Sequence, residues 1–307
     1  MAKLVLLGPQ RLRPTVDQIV DELGIDGPIA SITAGWEERE REDDELNELL
    51  DQETVNLELY RRGEREEEGE GKEFRARGAP CHERHNDQAT YRVALDGVIA
   101  SVRALAERVE KAYVDEELDS AFAAVRALDA RHLERVTRIE ATFRKRWATA
   151  RRHAVRRQRR EIEQILDRCQ LVAIAGGHVG VLTDLLRFFG LDARIKRHSV
   201  VAWSAGAMAL GSRVVLFHDS PPQGFGNAEI WGPGLGLYGR VLIFPHARRR
   251  LHLDDDLRAL ILARRFAPQI CLPLDEGDRV FLDGGDVATG SRGRRLESDG
   301  RVVELVP

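Results

Sequence analysis

Cysteine is scarce in this 307-residue sequence: there are three, Cys81, Cys169 and Cys271. An odd, sparse set without a C-x-x-C pair supplies neither a disulfide framework nor a zinc site, and it fits a reducing compartment. Long hydrophobic runs are missing too. The N-terminal apolar run is too short for a secretion signal, and no stretch reaches the ~20 residues of a membrane span. A cytoplasmic protein without membrane association is therefore expected. Charge of one sign is also lacking. The 47 Lys and Arg residues nearly balance 51 Asp and Glu, a formal net charge of −4, so nothing draws the whole chain towards nucleic acid or acidic lipid. Glycine and proline are absent from residues 98–175, which excludes tight turns and favours long helices there. What is abundant is charge itself, at 32%, beside 43% hydrophobic residues. That content can build one large core, or one core plus a smaller module.

The apolar pattern changes along the chain. Residues 3–8 and 28–34 read as buried strands around a helix from Thr15 to Leu23, the opening of a parallel α/β sheet. An acidic helix is predicted from Glu37 to about Leu50. Residues 61–75 are charged and Gly-containing, and read as a loop or frayed helix end. Residues 88–166 then place apolar side chains at helical spacing, which predicts two or three long amphipathic helices. The α/β pattern resumes with strands at 171–175, 199–203, 213–217, 240–244 and 278–282, and helices near 181–189 and 254–266. The expected architecture is an α/β fold with a doubly wound, mostly parallel sheet. Residues 1–60 and 161–307 form the catalytic domain, and 61–160 form a helical insertion.

Val200-Val201-Ala202-Trp203-Ser204-Ala205-Gly206-Ala207 runs from a buried strand through a serine among small residues into a helix. A serine on such a turn is exposed at the strand's carboxyl end, and the next N–H groups point where an oxyanion would form. A serine that merely caps the helix explains the same segment. Ala175-Gly176-Gly177-His178 ends the preceding strand, and its glycines would let a second backbone N–H approach a substrate. A serine nucleophile needs a base. His246 follows strand 240–244, at a carboxyl end where sites in open sheets gather. His178 and His218 are its rivals, whereas His82, His85, His132 and His153 read as surface residues. Asp219 lies between Ser204 and His246 in an order known for serine triads. It is equally readable as part of a turn, and Glu229 is the fallback acid.

These segments resemble the serine peptidases of the dipeptidase E and cyanophycinase type, on the flavodoxin-like class I glutamine amidotransferase fold. The resemblance rests on Ile32-Thr33-Ala34-Gly35, on Val172 to Gly177, and on the Trp203-to-Ala207 elbow. It continues through Gly234-Leu235-Gly236-Leu237, Phe244-Pro245-His246 and Leu274-Asp275-Glu276-Gly277. It covers roughly residues 1–55 and 160–290. It implies Ser204 as nucleophile, His246 as base, Asp219 as triad acid, and the Gly177 and Ala205 backbones as oxyanion hole. It further implies substrate contacts from Arg250 and from the residue after the double glycine. That residue is usually asparagine and is His178 here. Relatives that transfer glutamine nitrogen use a cysteine nucleophile, and no cysteine stands at this elbow.

Residues 144–160 are strongly basic. A solvated helix face balanced by the acidic runs is preferred there over a phosphate-tracking surface, and nucleic acid is not expected as a partner. A homodimer through the helical insertion is left open. Asp254-Asp255-Asp256 near His252 read as the acidic first turn of a helix, so neither a metal nor another cofactor is expected. The leading expectation is a serine hydrolase that cleaves a peptide or isopeptide bond through an acyl-enzyme, with aspartyl residues at the bond as the resemblance implies; its substrate would be a small peptide or amide. The alternatives are an inactive scaffold whose basic arm binds a partner or nucleic acid, and an amidase or esterase for a small molecule.

Overall fold

The computed structural model describes residues 3–69, 78–108, 113–147, 153–217 and 226–305. In chain order, β1 (Leu4–Leu7), α1 (Val16–Leu23), β2 (Ile29–Ile32), α2 (Asp44–Leu50) and β3 (Thr54–Asn56) open the fold. Four helices follow: α3 (Leu59–Gly69), α4 (Gly78–Ala106), α5 (Val114–Trp147) and α6 (His153–Leu166). Then come β4 (Leu171–Ile174), α7 (Val179–Phe188), α8 (Asp192–Ile195), β5 (Ser199–Trp203), α9 (Ala205–Leu210), β6 (Arg213–Leu216) and β7 (Glu229–Pro233). The chain closes with β8 (Val241–Pro245), α10 (Ala247–Arg250), α11 (Asp256–Phe266), β9 (Ile270–Leu274), β10 (Arg279–Asp283), β11 (Asp286–Val287), β12 (Arg294–Leu296) and β13 (Val302–Glu304).

The main sheet has seven strands in the order β11-β10-β1-β5-β4-β2-β3. The run from β1 to β3 is parallel, and β10 joins β1 antiparallel. Parallel strands are apolar throughout because both faces are covered. Val172 and Ile174 of β4 enter one core with Leu182, Leu185 and Leu186 of α7 and Ile162 and Leu166 of α6. Their neighbours Leu171 and Ala173 enter another with Val16, Ile19 and Val20 of α1 and Leu46 and Leu50 of α2. Two cores, one per face, make the sheet doubly wound.

A third core joins the long helices to the C-terminal half. Tyr91, Leu95 and Ile99 of α4 and Phe122 and Val125 of α5 pack with Ile230 of β7, Phe244 of β8 and Phe266 of α11. Each fully buried side chain of this size contributes roughly 1.5–3 kcal/mol. A buried ion pair ties the same elements together. Arg265 of α11 donates to both carboxylate oxygens of Asp129 of α5, at 2.7 and 2.9 Å. It also donates to the Ala228 carbonyl at 2.6 Å and the Tyr91 hydroxyl at 2.8 Å.

Several expectations are corrected. The acidic helix over 37–50 is broken into a 3-10 turn at Ala34–Arg39 and α2, because Glu37 takes φ 59°, ψ −123°, which no helix continues through. Of the loop or frayed helix end expected over 61–75, residues 61–69 are helical, as part of α3. Leu57 and Leu59 are buried in the core beneath α3, and Arg62 pairs with Glu161 of α6. Residues 70–75 lie outside the described residues. Of the three later strands, only β10 joins the main sheet; β6 pairs with β7, and β8 with β9. His132 is not a surface residue. It is fully buried, stacked on Tyr91 with ring centroids 3.9 Å apart, with Nε2 at 2.9 Å from the Ile230 carbonyl.

Candidate active site

The parallel strands β4 and β5 lie side by side and end together, at Ile174 beside Ala202. The two glycines after β4 therefore meet the serine after β5. Ser204 takes φ 52°, ψ −120°, and α9 starts at the next residue. A non-glycine residue held there costs about 1–3 kcal/mol, which packing must supply. Packing does so through small residues. A Cβ on Gly206 would fall 2.4 Å from the Ile174 carbonyl oxygen, so only glycine lets α9 approach β4 this closely. Tyr238 braces the helix from behind, its buried hydroxyl donating to the Ala207 carbonyl at 2.6 Å.

Gly176 faces the serine: a Cβ there would lie 3.0 Å from the Ser204 Cβ and 3.6 Å from the Ala205 nitrogen. Gly177 has φ 115° and packs on Gly35, where a Cβ would stand 2.3 Å from the carbonyl oxygen. Ala205 opens α9, and first-turn N–H groups have no intrahelical acceptor. The backbone thus lines the serine with glycine on one side and a helix start on the other.

His246 follows β8 and takes a left-handed backbone, φ 57°, ψ 41°, before the single turn of α10. Its Nε2 stands 3.1 Å from the Ser204 Oγ. The sequence separates these groups by 42 residues; the fold brings them within hydrogen-bond distance. The turn is pinned by a residue not singled out from sequence. Asp275, at the end of β9, accepts the Arg248 N–H at 3.1 Å and pairs with Arg294 at 2.6 Å. Its backbone also abuts Gly8 at the end of β1, where a Cβ would be 1.8 Å from the Asp275 carbonyl oxygen. Nothing local in the sequence marks Asp275 for this; the contact exists only once β8, β9 and β1 are assembled.

The remaining expected residues divide. His178 caps α7, its Nδ1 accepting the Val181 N–H at 3.1 Å, which leaves the ring proton on Nε2. Trp231 of β7 lies against the same corner, with the Arg84 guanidinium of α4 stacked 3.0 Å from its ring centroid. Arg250 ends α10, half-buried, its N–H bonded to the His246 carbonyl. Asp219 and His218 lie outside the described residues. Glu229 is committed to α4, where Arg92 and Gln88 bind both its oxygens. Cys169 and Cys271 are buried away from the elbow, and burial pushes the Cys271 thiol up to about 12. No group of metal-ligating side chains is found among the described residues, and no helix among them is long and apolar enough to cross a membrane.

Residues 123–290, more than half the chain, match the model of peptidase family S51, and the stretch includes both Ser204 and His246. The chain belongs to peptidase family S51. It is a serine peptidase by that membership. No curated protein matches it. Among solved structures, the S51 chain is similar to a peptidase from an acI-B1 actinobacterium, at 15% identity over 99% of this chain and 94% of that one, with a TM-score of 0.49. It is also similar to a candidate peptidase E protein from Listeria monocytogenes EGD-e, at 12% identity over 95% and 98%, with a TM-score of 0.45.

Proposed function

We propose that this S51 member cleaves a peptide or isopeptide bond through an acyl-enzyme formed on Ser204. The 3.1 Å approach of Ser204 Oγ to His246 Nε2 carries the reading. His246 takes the hydroxyl proton as Oγ bonds to the scissile carbonyl carbon. The backbone N–H groups of Gly177 and Ala205 hold the oxyanion that develops. The C–N bond then breaks, and His246 returns the proton to the leaving amine. Water, deprotonated by the same imidazole, releases the acid and regenerates the serine. Asp219 is assigned as the orienting acid from its position between the two in sequence.

The substrate is a small peptide with an aspartyl residue at the bond. The basic run Arg248-Arg249-Arg250 beside His246 supports a site for a carboxylate, with Arg250 and the Nε2–H of His178 as its donors. One panel tests this: aspartyl dipeptides, β-aspartyl-arginine and simple esters, each with wild type and Ser204→Ala. Turnover of an aspartyl substrate should fall roughly 10³-fold or more in the variant, with an unchanged circular dichroism spectrum. Equal turnover by the two proteins would discard the mechanism. Hydrolysis of esters alone would discard the substrate class.

A further inference from the structure

A cavity lies away from the serine. It measures about 430 Å³ and is lined by His153, Arg156, Arg159, Arg160 and Glu163, all on α6. Residues 153, 156 and 160 fall on one helix face, as do 156, 159 and 163. The cavity neighbours the far end of α7, since Arg159 donates to the Phe188 carbonyl. The ten residues of α7 span about 15 Å between that end and His178.

The charge inside is unbalanced. Glu163, the one carboxylate among the described residues that line the cavity, is held by Arg194 at 2.9 Å. Arg156 and Arg160 make no ion pair among the described residues. Arg159 is half-buried, and its Nε is sealed from solvent with no hydrogen-bond partner among the described residues. Burial holds its guanidinium below the ordinary value, with Glu163 and Asp192 partly offsetting this. The sequence supplies no compensation either: nine Lys and Arg, and no Asp or Glu, lie between Glu140 and Glu161. A cluster of guanidinium forks in a concave, partly desolvated pocket is the arrangement that binds multivalent oxyanions bidentately.

We infer that this cavity is a binding site for a compact oligophosphate group, separate from the peptidase site. Its volume suits a small anion, and its concavity distinguishes it from a surface that tracks a nucleic-acid backbone. Isothermal titration of the full chain with inorganic tripolyphosphate tests it. Binding should weaken about tenfold or more in Arg156→Gln/Arg160→Gln, since each exposed arginine contributes a charge-assisted bond. Arg157→Gln should bind as wild type, because Arg157 is on the same helix but does not line the cavity. Affinity should also fall as salt rises. Equal binding by wild type and the double variant would overturn the site, as would an equal loss in Arg157→Gln, which would mean diffuse attraction. A ten-nucleotide single-stranded RNA that binds more tightly than tripolyphosphate would overturn the ligand class in favour of a phosphate-backbone track.

Discussion

Asp129→Asn should destabilise the whole chain by about 3–5 kcal/mol, a large share of the roughly 5–15 kcal/mol that holds a typical domain together. Asp129 and Arg265 are each 2% exposed. The substitution keeps the side chain's size and removes its charge, which leaves a buried guanidinium with neutral acceptors alone: the new amide oxygen, the Ala228 carbonyl and the Tyr91 hydroxyl. The cost is therefore the desolvation of an unpaired cation, not the loss of one bond. The double variant Asp129→Leu/Arg265→Met removes both charges together. It loses the bonds to Ala228 and Tyr91, at about 1–3 kcal/mol, and should be more stable than Asp129→Asn alone. Urea unfolding, followed by tryptophan fluorescence and far-ultraviolet circular dichroism, reads both. The two probes should move together, since the pair joins α5 to α11 and to the residue preceding β7. A shift under about 1 kcal/mol in Asp129→Asn would refute the reasoning. So would a double variant less stable than the single one.

Gly206→Ala should lower stability by about 1–3 kcal/mol, because its Cβ must displace α9 from the Ile174 carbonyl 2.4 Å away. Turnover should fall further, up to about 100-fold, as the serine moves from its histidine. Gly97→Ala is the contrast: it sits in α4 with nothing within 4 Å of a new Cβ, and should gain about 0.5–1 kcal/mol in urea unfolding. Glu40 is fully buried, and burial raises its carboxyl above the ordinary range, partly offset by N–H bonds from Tyr60 and Arg61. The folded state then binds the proton more readily than the unfolded one. Stability from this group is present below the unfolded value and is lost as pH rises through the folded one. The stability of wild type relative to Glu40→Gln should therefore decrease between pH 4 and pH 7. A constant difference in urea midpoint would contradict the assignment.

The parallel sheet was legible because its strands are buried on both faces, and runs such as Leu171–Ile174 have no polar alternative. The serine elbow and the double glycine were legible because close backbone approach restricts residue choice at Gly176, Gly177 and Gly206. The long helices could be read from their spacing, but their placement could not. Tyr91, Asp129 and His132 look like ordinary helix residues until β7 and α11 supply partners. A histidine within a charged helical stretch gives no local sign of burial, so the sequence does not mark His132 as a core residue. The same holds for β6 to β9, whose apolar runs say that they are strands and nothing about which sheet they join. Asp275 illustrates the limit most plainly. Its role depends on three segments, β1, β8 and β9, meeting at one corner.

That corner bears on how the serine and the imidazole stay aligned. Ser204 belongs to the main sheet through β5. His246 belongs to the β8–β9 pair, whose Phe244 is buried in the core shared with α4 and α5, while Ile243, Leu272 and Leu274 share a core with Ala202 and Ala207. The 3.1 Å distance between them is thus set by how the pair packs against the main sheet, not by either alone. Asp275 holds the His246 turn, and its backbone lies against Gly8 of the main sheet, so it adds to that packing beside the site. Helices α4 and α5 act on the other side of His246 through Phe244 and the Arg265–Asp129 pair. A change in the packing of α4 and α5 moves the imidazole relative to the hydroxyl, and near-attack geometry tolerates little of that movement. The helices are therefore part of what positions the reacting groups, although they carry none of them.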